Sequence, residues 1–360
     1  MRDVARLAGV SEATVSLALS GSPRISDATR ARVREIATRT GYRPHAGARA
    51  LRTDSTRALG LVVSDVANPF FAELAGQIER IAAAEGYSLV LCNSDEDAGR
   101  QDGYLSSLLG GSRVDGVILV PTEAMTPGIE AAGAARANLV LLDRPITVRG
   151  RDAAASRLRE APVVRGSAAG ALEDVAELLV GLGHRRVGVI PPPPQTQVGR
   201  ERRDLLVDGL RRRGLDKSDV AVVAGDFRQR SGEQAVDRLL RGRRPPTAFF
   251  AGDGLMAIGA MKALRRAELR IPHDVSLVAF DDAPWFDLLD PPLTTVAQPI
   301  TELAAGAVRA MLALLHGEPP EDAAPPCRLV SRGSHGPPPP LGRSKVGKEQ
   351  RNDAKRGSSS

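Results

Sequence analysis

From Ala58 onward the chain alternates short, almost wholly apolar runs with longer amphipathic stretches, and it does so twice. Residues 59–63, 88–92, 116–120 and 139–142 have the length and apolar content of buried strands, with helices such as 70–84 between them. After a weakly patterned stretch at 147–165 the alternation restarts, with strands expected at 186–190, 220–224, 247–251 and 276–280. The intervening helices fall near 200–213, 231–241 and 255–266. A strand followed by a helix returns to a parallel neighbour, so each half predicts a doubly wound parallel α/β lobe. Two such lobes bring the carboxyl ends of their strands to a shared crevice, where open α/β sheets hold ligands.

The first forty residues follow a different period. Val4, Ala5, Leu7 and Ala8 form an apolar face that Gly9 ends, and Ser11 can cap a second helix carrying Val15, Leu17, Ala18 and Leu19. Ser26 or Asp27 starts a third helix with Ala31, Val33, Ile36 and Ala37, stopped by Gly41. Three short helices give a small all-α head. Charge separates the same two parts: residues 1–57 hold eleven arginines against five acids, a net +6, while residues 58–335 sum to −4. Residues 336–360 carry +4, begin with four prolines within five residues, and cannot bury enough apolar surface to fold, so a disordered basic tail is expected there. A basic head on an acidic body is the electrostatic layout of a protein that touches phosphates with one module and something else with the other.

Hydrophobic residues make up 42% and charged residues 26% of the 360, and no apolar run is long enough to span a bilayer, so a membrane partner is not expected. The start Met1-Arg2-Asp3-Val4 lacks a leader pattern, which predicts the cytosol, at the nucleoid for a DNA binder, with Cys92 and Cys327 reduced and merely packed. The five histidines are dispersed, and no nucleophile-elbow, zinc-protease or phosphate-loop pattern occurs. An enzyme, a metal and a cofactor are therefore not expected. A periplasmic-type solute-binding protein would share the two lobes but needs a leader and no basic head.

The run Asp3-Val4-Ala5-Arg6-Leu7-Ala8-Gly9-Val10-Ser11-Glu12-Ala13-Thr14-Val15-Ser16 has the layout of a helix-turn-helix, continued by Gly41-Tyr42-Arg43-Pro44 and Ala48-Arg49-Ala50-Leu51-Arg52. This stretch resembles the head and hinge of the lactose-repressor (LacI/GalR) family. The resemblance implies domains at 1–43 (head), 44–57 (hinge helix and linker) and 58–335 (sensor). The first lobe would take about 58–160 with part of 291–320, and the second 161–290 with 321–335. It places Glu12, Ala13 and Leu17 at base edges of a double-stranded DNA operator. Ser11, Thr14, Ser16, Arg24, Ser26 and Arg52 would meet the backbone, and Leu51 would wedge into the minor groove. Glu12 can accept from a cytosine amino group and Leu17 can touch a thymine methyl, but no arginine–guanine clamp is available. Gly47 weakens the hinge helix by ~1 kcal/mol relative to alanine.

In the body, Asn68-Pro69-Phe70-Phe71, Leu182-Gly183-His184-Arg185-Arg186, Gly225-Asp226-Phe227, Phe280-Asp281-Asp282 and Pro292-Leu293-Thr294-Thr295-Val296 resemble landmarks of the same family in the same order. By position Phe70 and Phe227 would stack on an effector, and Arg202, Asp253 and Asp281 would hydrogen-bond it, with Trp285 a further candidate for the site. A guanidinium opposed by carboxylates suits a sugar-like polyol, whose hydroxyls both donate and accept. The chain departs from the pattern at Asp253-Gly254, Ser167-Ala168 and Leu205-Leu206, and Pro191 to Pro194 stand beside the crevice. The reading is a sequence-specific regulator, with repression as the expected output, acting as a homodimer or as a tetramer. The alternative is a ligand-insensitive DNA-binding regulator with a degenerate pocket.

Overall fold

The computed structural model describes residues 1–19, 22–42, 55–111, 113–122, 125–148 and 150–340. It divides into two compact units, Met1–Thr56 and Arg57–Ser360.

The first unit holds α1 (Arg2–Ala8), α2 (Glu12–Leu19) and α3 (Asp27–Arg39). Val4, Ala5, Ala8, Val15, Ala18, Val33, Ile36 and Ala37 close its core. Gly9 ends α1 in the left-handed region at φ 62°, the conformation that costs glycine least. The Ser11 hydroxyl accepts from the Thr14 N–H at 3.1 Å, and Ser26 accepts from Thr29 at 3.3 Å, so both helices are capped by serine. Two expected core positions are not buried: Leu7 is 49% exposed and Ala31 is exposed. Each of three short helices buries only a narrow stripe, and both residues lie beyond its edge.

The second unit has two parallel sheets. The first contains β1 (Ala58–Val63), β2 (Ser88–Asn93), β3 (Gly116–Leu119), β4 (Leu139–Leu142) and β5 (Val163–Val164), ordered β2-β1-β3-β4-β5. Between them run α4 (Pro69–Ala84), α5 (Ala98–Leu109), α6 (Pro127–Ala134) and α7 (Ala153–Glu160). The second lobe has helices α8 (Ala169–Gly181), α9 (Gln197–Arg212), α10 (Gln229–Leu240) and α11 (Gly254–Arg266). Its strands are β6 (Val187–Ile190), β7 (Val220–Val222), β8 (Ala248–Ala251), β9 (Ser276–Phe280), β10 (Thr294–Ala297) and β11 (Arg328–Val330). Their order is β11-β10-β9-β8-β6-β7, with only β11 antiparallel. Read from β7 to β10, the second sheet repeats the order of the first.

Helix α12 (Ile300–His316) follows β10 and returns to the first lobe, where Leu303, Ala307 and Met311 share a core with Leu74 and Ile78 of α4. The chain thus crosses between lobes after β5, after β10 and again before β11, which gives the lobes three hinge segments. Bridges Val164–Ala323 and Ser167–Pro326 tie the first crossing to the third. Pairing of β5 with β4 keeps residues 163–164 in the first lobe, a few residues past the expected boundary at 160.

The runs at 88–92 and 220–224 were expected to be buried, but both supply edge strands, leaving Val90 38%, Leu91 46% and Val222 42% exposed. An apolar run states strand propensity, not the number of neighbours it will have. The tail boundary is also corrected: Gly336 is tied into the second lobe, its carbonyl accepting from Nε2 of buried His184 at 2.9 Å and from the Ser276 hydroxyl at 3.0 Å. Burial holds the His184 imidazole below its ordinary pKa and hence neutral, with Nδ1 2.9 Å from the Thr247 hydroxyl. Among the described residues no helix is long and apolar enough to cross a membrane. Burial also pushes the Cys327 thiol up to about 12, which makes it unreactive near neutrality.

Candidate DNA-reading helix and effector crevice

In the head, Glu12 and Ala13 are exposed at the start of α2, and Thr14, Ser16 and Leu17 are half-buried along it. Glu12 pairs with Arg2 at 3.3 Å, an exposed contact worth little and easily exchanged. The Ser11 and Thr14 hydroxyls lie 2.9 Å apart. Arg24 is exposed in the turn before Ser26. The candidate base-reading residues therefore sit on one short helix whose opposite side, Val15 and Ala18, is locked into the core. Leu51 and Arg52 lie outside the described residues.

In the sensor, all five candidate residues fall at the carboxyl ends of strands or on the helices that follow, where the loops of both lobes face each other. Asn68 caps α4, accepting from the Phe70 N–H, and its amide crosses the crevice to donate to Asp253 Oδ2 at 3.0 Å. Asp253 caps α11 in turn, its Oδ1 accepting from the Leu255 and Met256 amides at 2.9 and 3.1 Å. Asp281 accepts from Gln298 at 2.8 Å. The buried Arg202 guanidinium lies 3.6 Å from the Phe280 ring centroid and donates to the Gly252 carbonyl at 2.8 Å. Phe227 meets the first lobe through the guanidinium of Arg144, 4.4 Å from its ring. Phe70, Asp281 and Trp285 border a cavity of about 10 Å³. Larger hollows of about 620 and 730 Å³ lie elsewhere, one at the lobe crossing beside Glu73 and Arg328, the other against α11 beside Met261 and Leu289. Convergence of charged and aromatic groups, rather than size, marks the crevice.

Several groups there were not anticipated. Arg144 makes a two-pronged pair with Glu96 at 2.7 and 2.8 Å, and its Nε, 3.5 Å from Asp143, has no hydrogen-bond partner. Burial opposes the Arg144 charge, but the Glu96 bonds together with the charges of Glu96, Asp143 and Asp253 outweigh it and hold the pKa above its ordinary value. Arg228 of the second lobe reaches Asp65 at 3.2 Å and Asp95 at 2.6 Å in the first, and its bond holds the Asp95 carboxyl below its usual range. Of the eight non-glycine residues with positive φ among the described residues, five are crevice residues: Asp95, Glu96, Asp143, Phe227 and Asp281. Such backbone costs on the order of 1 kcal/mol or more apiece and concentrates at functional sites. One signal could have found them, since each lies just past the end of a parallel strand.

Burial, and then the neighbouring Asp281 charge, push the Asp253 carboxyl up to about 7, and burial raises Asp281 as well. For Asp253 the sign follows from a folded value above the unfolded 3.8. Its contribution to stability is complete below 3.8 and is lost as pH rises through about 7. The sensor's melting temperature is expected to fall over that window. Asp253→Asn, which still caps α11, is expected to flatten the fall; an unchanged slope in a melting series would contradict this.

A helix-turn-helix unit followed by a two-lobed binding fold with a charged crevice defines a DNA-binding regulator with a ligand-binding domain. Residues 1–45 match the profile described as bacterial regulatory proteins, lacI family, and residues 176–335 that of a periplasmic binding protein-like domain. The chain is 33% identical over 314 residues to the ribose operon repressor of Escherichia coli K12, covering 87% of this chain and 92% of that protein. It is 33% identical over 336 residues to the HTH-type transcriptional repressor CytR of the same strain, with 93% and 95% covered. The lac repressor dimer bound to operator and the anti-inducer ONPF matches with a TM-score of 0.78 at 26% identity, over 92% of this chain and 97% of that one. A CelR–cellobiose complex matches with a TM-score of 0.68 at 29% identity, over 92% and 98%. The chain belongs to the LacI family of bacterial regulatory proteins. It is accordingly a transcription regulator and not an enzyme.

Proposed function

We propose that the protein is a cytoplasmic, nucleoid-bound repressor that occupies a pseudo-palindromic operator as a homodimer and whose affinity is set by a sugar or related metabolite held between its lobes. Glu12, Ala13 and Leu17 read base edges, Ser11, Thr14, Ser16, Arg24, Ser26 and Arg52 hold the backbone, and Leu51 wedges the minor groove. Phe70, Arg202, Phe227, Asp253 and Asp281 hold the effector. The observation that carries this reading is the convergence of those five residues, far apart in sequence, on one crevice spanned by the Asn68–Asp253 bond. A ribose operon repressor and a cellobiose complex among the similar proteins support a sugar, and the lac repressor dimer supports the homodimer. If effector binding shifts the lobes, the paired hinges move apart and the operator is released; a ligand favouring the other arrangement acts as a corepressor.

Selection of random duplex DNA by the full-length protein at moderate salt tests the reading. An enriched pseudo-palindrome supports it, and a pool without enrichment counts against it. Leu51→Ala is expected to weaken operator binding far more than binding to random duplex, by about tenfold or more, because only the operator complex is kinked. Equal losses in a paired titration would remove the wedge. The ligand-insensitive reading is favoured by one observation: Arg228–Asp65, Arg228–Asp95 and Asn68–Asp253 already join the lobes through the protein's own side chains. An operator affinity unmoved by any sugar would select it.

A further inference from the structure

The charges that line the crevice do not balance. Each guanidinium faces two carboxylates: Arg228 sits between Asp65 and Asp95, and Arg144 between Glu96 and Asp143. Arg202 supplies the attraction felt by both Asp253 and Asp281. Arg100 also reaches Asp95, at 3.2 Å, so four positive groups oppose six carboxylates, a surplus that grows as pH rises through about 7 and Asp253 ionises. Asp65, Asp143, Asp253 and Asp281 are between 2% and 6% exposed, so solvent does little to screen the surplus. Nor can the arginines answer it further. Arg144 is committed to Glu96 through both terminal nitrogens, and Arg202 spends one of its nitrogens on a backbone carbonyl and its face on Phe280.

The polar groups left open point the same way. Among the described residues the buried Asp143 carboxylate has one ion-pair partner, the Arg144 Nε at 3.5 Å, and that Nε is itself without a hydrogen-bond partner. A ligand hydroxyl placed there could accept from the Nε and donate to Asp143, while a cation would neutralise the surplus. An anion would enter a site where carboxylates already outnumber guanidinium groups.

Resting on the sensor reading above, we propose that the effector is a polyhydroxylated molecule carrying a protonated amine, with amino sugars as the chemical class, and that carboxylated and phosphorylated sugars are excluded. The amine is held among Asp143, Asp253 and Asp281, and the hydroxyls by Arg202 and Arg144. Specificity comes from repulsion of anions as much as from attraction of the cation.

The test is calorimetric titration of the full-length protein with matched sets that differ only in charge. D-Glucosamine, D-glucose, D-glucuronate and D-glucose 6-phosphate form one set, and the galactose and mannose counterparts form two more. In a set that binds, the amine is expected to bind about tenfold tighter than the neutral parent, and the uronate and phosphate about tenfold weaker, at about pH 7, where the amino-sugar ammonium is still largely protonated. The amine's advantage should shrink at about pH 6, where a proton competes for Asp253. That carboxyl is faced by Asp281 after β9, Arg202 on α9, Asn68 at the start of α4 and Arg144 after β4. Asp143→Asn is expected to reduce the ratio of amine to neutral affinity, whereas a purely structural loss would lower both alike. A uronate or phosphate binding as tightly as its neutral parent overturns the proposal while leaving the sensor reading intact. Heat from none of the sets overturns both.

Discussion

Replacing Arg202 by alanine is expected to abolish the effector response and to destabilise the sensor by about 3 kcal/mol or more. Arg202 is 6% exposed, its guanidinium packs on Phe280, and its charge lowers the pKa of both Asp253 and Asp281 against the pull of burial. Removing one partner of a buried charge set leaves the others uncompensated, which typically costs about 3–5 kcal/mol. Two charge-assisted bonds to an effector, at about 1.5 kcal/mol each, correspond to about a hundredfold in affinity. Operator binding without effector is expected to stay within a few-fold, because the reading helix belongs to the other compact unit. Melting curves and sugar titrations of Arg202→Ala check both parts; a variant that keeps its full sugar response would remove Arg202 from the site.

Gly259→Ala is expected to destabilise the second lobe by about 2–3 kcal/mol, despite the ~1 kcal/mol that alanine normally adds to a helix. Helices α10 and α11 pack with their backbones almost touching. A Cβ on Gly259 would lie 1.9 Å from the Gln229 carbonyl oxygen, and one on Gly232 would lie 2.1 Å from that of Met256. Neither obstacle is a side-chain tip that can swing aside, so the helices must separate and uncover Met256 and Ala260 in the core below. Gly103, exposed in α5 with nothing within 4 Å of its Cβ position, is the control. Its change to alanine is expected to stabilise by about 0.5–1 kcal/mol. If urea midpoints for the two variants moved in the same direction, the close crossing would be wrong.

The class of fold was readable because its signals are periodic. Alternating strand and helix runs announced two parallel lobes, and the Gly9 and Ser26 signals placed the helix ends of the head where the structure has them. What periodicity cannot show is which element lies at an edge, so the apolar runs at 88–92 and 220–224 predict burial, whereas Leu91 and Val222 are exposed. β5 and β11, of two and three residues, lie outside the apolar runs that signalled strands elsewhere. The proline-rich start of the tail hid the docking of Gly336, which rests on a histidine 152 positions earlier.

The crevice was half legible. Phe70, Arg202, Phe227, Asp253 and Asp281 were reached by resemblance, and the structure brings them into one place. Asp143, Arg144, Glu96 and Arg228 were missed because their roles arise from partners that sequence distance conceals: Glu96 and Arg144 are 48 residues apart, and Asp65 and Arg228 163. The rule that ligands gather at strand ends would have pointed to all four. The departure at Asp253-Gly254 also gains meaning only in three dimensions, where Asp253 joins Asp281 in a shared buried field.

If one crevice controls one DNA-reading head, operator affinity of the full-length protein, followed by fluorescence anisotropy across neutral, amino, acidic and phosphorylated sugars, reports it directly. At least one amino sugar is expected to change the dissociation constant for the selected operator by about tenfold or more, within the usual range of allosteric coupling, and to leave binding to random duplex unchanged. The same sugar should have no effect on Arg202→Ala. An operator affinity that stays constant across every class, or a response that survives in Arg202→Ala, would contradict it.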